Sequence, residues 1–297
     1  MSAAAARVRH RGKQLGKTCR SRGKDSGRRR LHATDIAFIC AIAASLGVLL
    51  YLNGADLYAQ YVAERHIEQM EALYSDKDDP ARLEYLRQAR MFNDQMAGKE
   101  VDGDVLDYRS QLFYREEPMI SHIEIPKIHV KLPIYHGVEE NALMAGAGHW
   151  ERSSLPVGGE TSHCVLMGHT GMRNTRMFDD LHRLTAGDRF VIWTLGDPYA
   201  YEVYAVETVL PEEVASRIEL VRGSDLVTLV TCTPHGINSH RLLVHARRCE
   251  YVDDIGEVGI DAYVNDRNLP LLIAGGLAAG TLAATAVGKK ARKRRAA

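Results

Sequence analysis

With 297 residues, 45% hydrophobic and 26% charged side chains, the chain has the composition of a folded protein of one or two domains, which excludes a disordered or low-complexity one. The formal net charge of zero conceals a division. Residues 1–30 and 289–297 hold 17 of the 38 Lys and Arg, leaving residues 31–288 with 21 basic against 37 acidic residues, a formal charge of −16. That acidic middle excludes nucleic acid as its partner and gives tails and middle different surroundings.

In chain order, a basic segment (1–35) precedes the apolar run IAFICAIAASLGVLLYL (36–52), and a second apolar run, PLLIAGGLAAGTLAATAV, begins at Pro270 within a segment 270–288. Each is near the roughly 17–25 residues that span a bilayer. Basic flanks at both ends, the second at 289–297, place both termini in the cytoplasm and the middle outside, with the bilayer as a partner. For the first run a cleaved signal peptide is the alternative, although no clear small-residue cleavage site follows Leu52.

Residues 53–117 open with a helical pattern. Leu57, Tyr61, Ile67, Met70 and Tyr74 recur at helical spacing, and Asp79-Pro80 supplies a cap and first-turn proline for a second helix through Leu83, Leu86 and Met96. This predicts a helical hairpin leading off the membrane, followed by a charged loop over 99–117. From 118 to 252 the pattern changes to short β-rich runs: ISHIEIPKI, VKLPIYHG, HCVLMGHT, DRFVIWTL, YAYEVYAVETVL, LVTLVTC and RLLVHARR. Strands at this spacing predict one all-β barrel or sandwich. A helical insert is expected over 175–184, where Met177, Leu181 and Leu184 share a face, and a hairpin turn at Asp197–Tyr199. A linker, 253–269, leads to the second apolar run.

Of five cysteines, Cys164, Cys232 and Cys249 fall in the acidic middle, an odd number that leaves at least one thiol free or paired between chains. In TLVTCTPHGINSHR (228–241), Cys232 stands at the exit of one strand and Arg241 at the start of the next, so a hairpin puts both at the same end. His169 follows the strand ending at Gly168; if the strands of His169 and Cys232 are parallel neighbours, the two meet at one rim. Zinc is the competing reading, through Cys232, His235, His240 and Cys249 or through His163, Cys164 and His169. Those intervals do not match close-spaced ligand pairs, and no metal is expected.

TLVTCTPHGINSHRLLVHARR is similar to the signature of sortases, more narrowly the pilus-assembling class C, and IEIPKIHVKLPIYHG (123–137), GHWERSSLPVGGETSHCVLMGHTG (148–171) and MFDDLHRLTAGDRF (177–190) resemble further landmarks of that family. His235 stands where the family usually has tyrosine, Ser239 where it has threonine, and Thr170 and Met172 depart from its usual His-Arg-Gly-Leu. The resemblance implies an eight-stranded barrel with short helices, preceded by the helical hairpin and flanked by two transmembrane helices. It implies a cysteine transpeptidase with Cys232 as nucleophile, His169 as acid-base partner and Arg241 as oxyanion stabiliser. Backbone amides near Thr170 and Thr231 are further candidates for holding the oxyanion or the substrate.

The reaction so implied cuts a Leu-Pro-x-Thr-Gly-like sorting signal of a pilin or surface protein after Thr, holds it as a thioester, and passes it to a pilin lysine or a cell-wall amine on a Gram-positive-type cell surface. No cofactor is implied. A cell-wall-anchoring sortase, a Cys-His hydrolase using the same groups, and a non-enzymatic or zinc-binding exported β-domain are the alternatives. Class C members carry an Asp-Pro-aromatic lid before the barrel. Here the nearest equivalent is Asp107-Tyr108, expected to pair with Arg241 and to cover Cys232, with a solvated linker as the alternative.

Overall fold

The computed structural model describes residues 33–172 and 177–252, together with Gly276 and Gly280. Two long helices, α1 (Ala33–Leu73) and α2 (Pro80–Met96), precede eight strands: β1 (Met119–Ile125), β2 (Val130–His136), β3 (Ala147–His149), β4 (Ser162–Met167), β5 (Arg189–Thr194), β6 (Asp197–Val209), β7 (Asp225–Thr233) and β8 (His240–Arg248). Two short helices, α3 (Glu140–Ala145) and α4 (Val214–Arg217), lie between strands.

The strands close into one barrel in the order β1-β2-β3-β4-β7-β8-β6-β5, with β5 pairing back to β1. The β2–β3 and β4–β7 pairs are parallel and the others antiparallel. Alternation explains the packing: Ile123 and Ile125 of β1 and Val227 and Leu229 of β7 enter one core with Phe190, Tyr201 and Val244. Gly148 of β3 and Gly168 after β4 allow close approach there, since a Cβ on Gly168 would lie 2.6 Å from the Phe178 ring.

The hairpin forms as its caps dictate. Asp79 accepts the Ala81 amide at 2.9 Å and Pro80 occupies the first turn of α2. Ile67, Met70, Tyr74 and Leu86 are buried, whereas Tyr61 and Leu83 are exposed. Polar side chains dock the hairpin on the barrel. Arg82, 2% exposed, donates to the Leu195 and Lys77 carbonyls at 2.6 and 2.8 Å and pairs with Asp197, while Asn93 bonds the backbone of Leu155 and Gly158. On the other helix Glu71 faces His122 and Lys131, and Lys131 reaches Glu124 at 2.8 Å. Among the described residues Glu71, His122 and Glu124 are the one group whose spacing could hold a metal ion, and the Lys131 ammonium already supplies a cation to both carboxylates. The zinc sets considered from sequence do not assemble among the described residues.

Several expectations change. Residues 36–52 and the first hairpin helix form one continuous α1. Among the described residues no helix is long and apolar enough to cross a membrane. The second expected span lies outside the described residues apart from Gly276 and Gly280, as do residues 1–32, 253–269 and 289–297. The described part of the expected insert over 175–184 holds only a single 3-10 turn, Leu181–Arg183, although Met177, Leu181 and Leu184 are buried as expected. The hairpin turn is Leu195-Gly196, both at positive φ, rather than Asp197–Tyr199, which belongs to β6. Asp197 is held in register by Arg82, and Pro198 is tolerated at the start of that strand, before its pairing with β8 begins at Tyr201.

Candidate active site

Three adjacent strands, β4, β7 and β8, deliver the three candidate catalytic residues to one rim. The parallel β4–β7 register ends at Met167 opposite Val230. It is extended by the Gly168 amide donating to the Val230 carbonyl at 3.1 Å and by Thr231 Oγ1 donating to the Gly168 carbonyl at 2.7 Å. His169 therefore leaves β4 beside the point where β7 presents Cys232. On the far side of β7, Cys232 and Arg241 are directly paired across the antiparallel β7–β8 ladder. Directly opposed residues project to the same face of a sheet, so the thiol and guanidinium share a side.

Cys232, His169 and Arg241 are all partly exposed, accessible to a peptide yet walled by the barrel. The other two thiols of the acidic middle differ. Cys164 is buried, and burial pushes its thiol well up; burial also raises Cys249. Both shifts favour the unreactive protonated form. Arg241 Nη1 donates to the carbonyls of Asn238 and His240 at 3.1 and 3.0 Å. Among the described residues it pairs with no carboxylate, so its charge is not neutralised at the rim.

His169 faces a group that the sequence reasoning missed. Glu140, in the first turn of α3, places Oε2 3.6 Å from His169 Nε2. Its neighbour Glu139 is engaged by Arg109. No local spacing links residues 140 and 169, which meet because α3 returns the chain to the rim before β3.

A second missed group is Asp179. Its Oδ1 accepts the Gly171 amide at 2.8 Å and Thr170 Oγ1 at 3.2 Å, and lies 3.3 Å from His235 Nδ1. Its Oδ2 is buried without a hydrogen-bond partner. The Phe178 amide donates to the His169 carbonyl at 3.1 Å. The loop carrying His169 and the loop following Cys232 are thus tied to one carboxylate, and Gly171 lies at φ +81° against the His235 ring. The departure of residue 235 from tyrosine was the only signal in the sequence.

The remaining candidates are placed elsewhere. The side chains of Thr170 and Thr231 donate to Asp179 and to Gly168, and Thr231 lies within the β7–β8 ladder opposite Leu242, so of the two only the Thr170 backbone amide is left as an oxyanion candidate. Asp107 does not pair with Arg241: its carboxylate caps a 3-10 turn, accepting from the Arg109 and Ser110 amides and from Ser110 Oγ. Tyr108 does not bond at the rim either. Its hydroxyl lies 2.9 Å from both Nδ1 and the carbonyl of His149 and accepts the Gly137 amide at 2.9 Å, and its ring packs on His136 and His149. The Asp107 carboxylate is thus spent on its own turn, and the Tyr108 ring is held on the β2–β3 wall by His136, Gly137 and His149.

A family profile described as Sortase domain matches residues 123–249. Sortase A of Bacillus anthracis is 26% identical over 211 residues, which cover 68% of this chain and 92% of that protein. Among solved structures, sortase C-1 of Actinomyces oris is 40% identical with a TM-score of 0.52, covering 57% of this chain and 99% of that one. Sortase C1 of Streptococcus agalactiae is 36% identical with a TM-score of 0.58, covering 63% of this chain and all of that one (100%).

Proposed function

The chain belongs to the sortase family of cysteine transpeptidases, and from that premise we propose that it cuts a Leu-Pro-x-Thr-Gly-like sorting signal and joins the acyl fragment to a pilin lysine amine. Sortases act on sorting signals and amine acceptors at the surface of Gram-positive bacteria. The observation that carries the reading is the arrival of His169, Cys232 and Arg241 at one rim from three neighbouring strands.

Cys232 attacks the Thr carbonyl as the thiolate, which neighbouring cations favour. Negative charge develops on the carbonyl oxygen as the C–S bond forms, and Arg241, permanently charged and paired with no carboxylate among the described residues, holds it through fixed donors. His169 gives a proton to the amine that leaves and becomes neutral. The acceptor amine then attacks the thioester carbon; the C–N bond forms, the C–S bond breaks, sulfur leaves as thiolate and His169 takes the amine's proton. The backbone amide of Thr170 is a second donor within the same loop.

The class C role, polymerising pilins rather than anchoring proteins to cell wall, is supported by the 36–40% identity to structures named sortase C1 and C-1. Membrane tethering through residues 36–52 and 270–288 is supported by Gly276, which lies against Leu46: a Cβ there would come within 3.0 Å of Leu46 Cδ1. Tethering raises the effective concentration of anchored substrates.

The test is to incubate the protein with a sorting-signal peptide and a lysine-containing acceptor peptide, following the thioester and the joined product by mass spectrometry. Wild type forms both and Cys232→Ala forms neither. Cleavage that survives loss of the thiol rejects the reading. A thioester discharged only to water makes the protein a hydrolase.

A further inference from the structure

We propose that Glu140 is the residue that receives the acceptor amine, binding it as an ammonium beside His169 and so making transfer prefer a charged primary amine over water. This rests on the transpeptidase reading above and names the group that selects its second substrate.

The geometry has room for one hydrogen-bonding atom between the two groups. Glu140 Oε2 and His169 Nε2 are 3.6 Å apart, beyond hydrogen-bond length. An amine nitrogen at ordinary hydrogen-bond distance, about 2.9 Å, from both atoms completes a triangle on that base. The carboxylate stands on the open side of the pair, with its side chain 74% exposed against 29% for His169, so an incoming chain meets it before it meets the imidazole. Glu140 is also available. Glu139 is held by Arg109, whereas among the described residues Glu140 contacts no cation other than the imidazole.

The chemistry requires such a group. An amine near neutral pH arrives protonated and cannot attack until it loses a proton. After the first half-reaction His169 is neutral and able to take it. A carboxylate at this position draws the ammonium in, points an N–H at Nε2, and remains beside the imidazolium once the proton has moved. Water carries no charge, so it gains a hydrogen bond from the same carboxylate but not the ion-pair attraction that draws in an ammonium. Exposure weakens the attraction through solvent and salt, so the expected effect is moderate and salt-sensitive.

The test compares two nucleophiles on one thioester. A lysine-containing peptide arrives as a cation, whereas hydroxylamine is uncharged at neutral pH and captures thioesters as hydroxamates. In Glu140→Gln the ratio of lysine-peptide product to hydroxamate falls about fivefold relative to wild type, and the wild-type ratio declines with added salt toward that of the variant. An unchanged ratio, with both products falling together or neither falling, overturns the proposal and makes Glu140 an orienting partner of His169 or a solvated side chain. The parent reading fails separately: a wild type that forms no Cys232-dependent hydroxamate is no transpeptidase of this kind, and the proposal falls with it.

Discussion

At the scale of single residues the site is set by which charged or nucleophilic groups keep a free valence. Cys164 and Cys249 are both pushed up by burial, and neither lies at the rim, so Cys164→Ser and Cys249→Ser retain cleavage of a sorting-signal peptide. Loss of cleavage in either folded variant contradicts the assignment of Cys232 as the nucleophile. Arg241 is the converse case. Lysine keeps the charge but loses the planar fork, so Arg241→Lys lowers turnover about a hundredfold, the usual cost of one oxyanion donor. Turnover near wild type in that variant rules out a positioned oxyanion role.

At the scale of elements, the β7–β8 ladder fixes Cys232 against Arg241, whereas the placing of His169 beside them depends on loops that leave the sheet. The β4 exit loop, with His169, and the β7 exit loop, which follows Cys232, share Asp179 through Thr170, Gly171 and His235. Groups that act through a shared partner do not contribute independently. Asp179→Asn and His235→Ala therefore couple by about 1 kcal/mol in a double-mutant cycle on kcat. Additive effects, to within about 0.3 kcal/mol, would show that the loops are positioned separately. The 99–117 segment has a different task. Its Leu112 and Tyr114 are buried, and Tyr114 packs with Tyr74 and Tyr85 of the hairpin. It straps the hairpin to the barrel, and its Asp107 and Tyr108 contacts serve that strap.

At the scale of the whole molecule, acid sensitivity follows from buried groups other than the three candidate catalytic residues. Burial brings His136 and His149 down to about 4, so each stays neutral in the fold while the unfolded chain takes a proton near 6.5. Stability present above about 6.5 is therefore lost as pH falls toward 4, on the order of 3 kcal/mol per histidine. Glu124 adds a lower step. Burial pushes its carboxyl up, but His122 beside it and the Lys131 ammonium outweigh that and hold it at about 2, so its contribution fades between about 4.3 and 2. Denaturant midpoints measured from pH 8 to 3 should fall in two stages, the first below pH 6.5 and the second below pH 4.3. A midpoint constant down to pH 4 contradicts the neutral burial of the two histidines.

What the sequence determined by itself is local or repeats at short range. Seven of the eight strands follow from short β-rich runs bounded by turn residues; the Asp79-Pro80 start of α2 follows from capping; and Cys232 and Arg241 fall opposite each other because a short loop joins their strands. β3 escaped because three residues are too few to show a period. The turn at Leu195-Gly196 escaped because Asp-Pro-Tyr is the stronger turn signal until Arg82, more than a hundred residues earlier, takes Asp197. Only the closed barrel decided that β4 lies parallel to β7, that α3 swings Glu140 to His169, that Asp179 meets His235, and that Asp107 and Tyr108 stay away from the rim. Those contacts join residues from 29 to 63 positions apart, or fail to form, according to how the strands close. Short-range spacing sets which element forms, but the partner of a polar side chain is set by whichever strand or loop the closure of the sheet brings beside it.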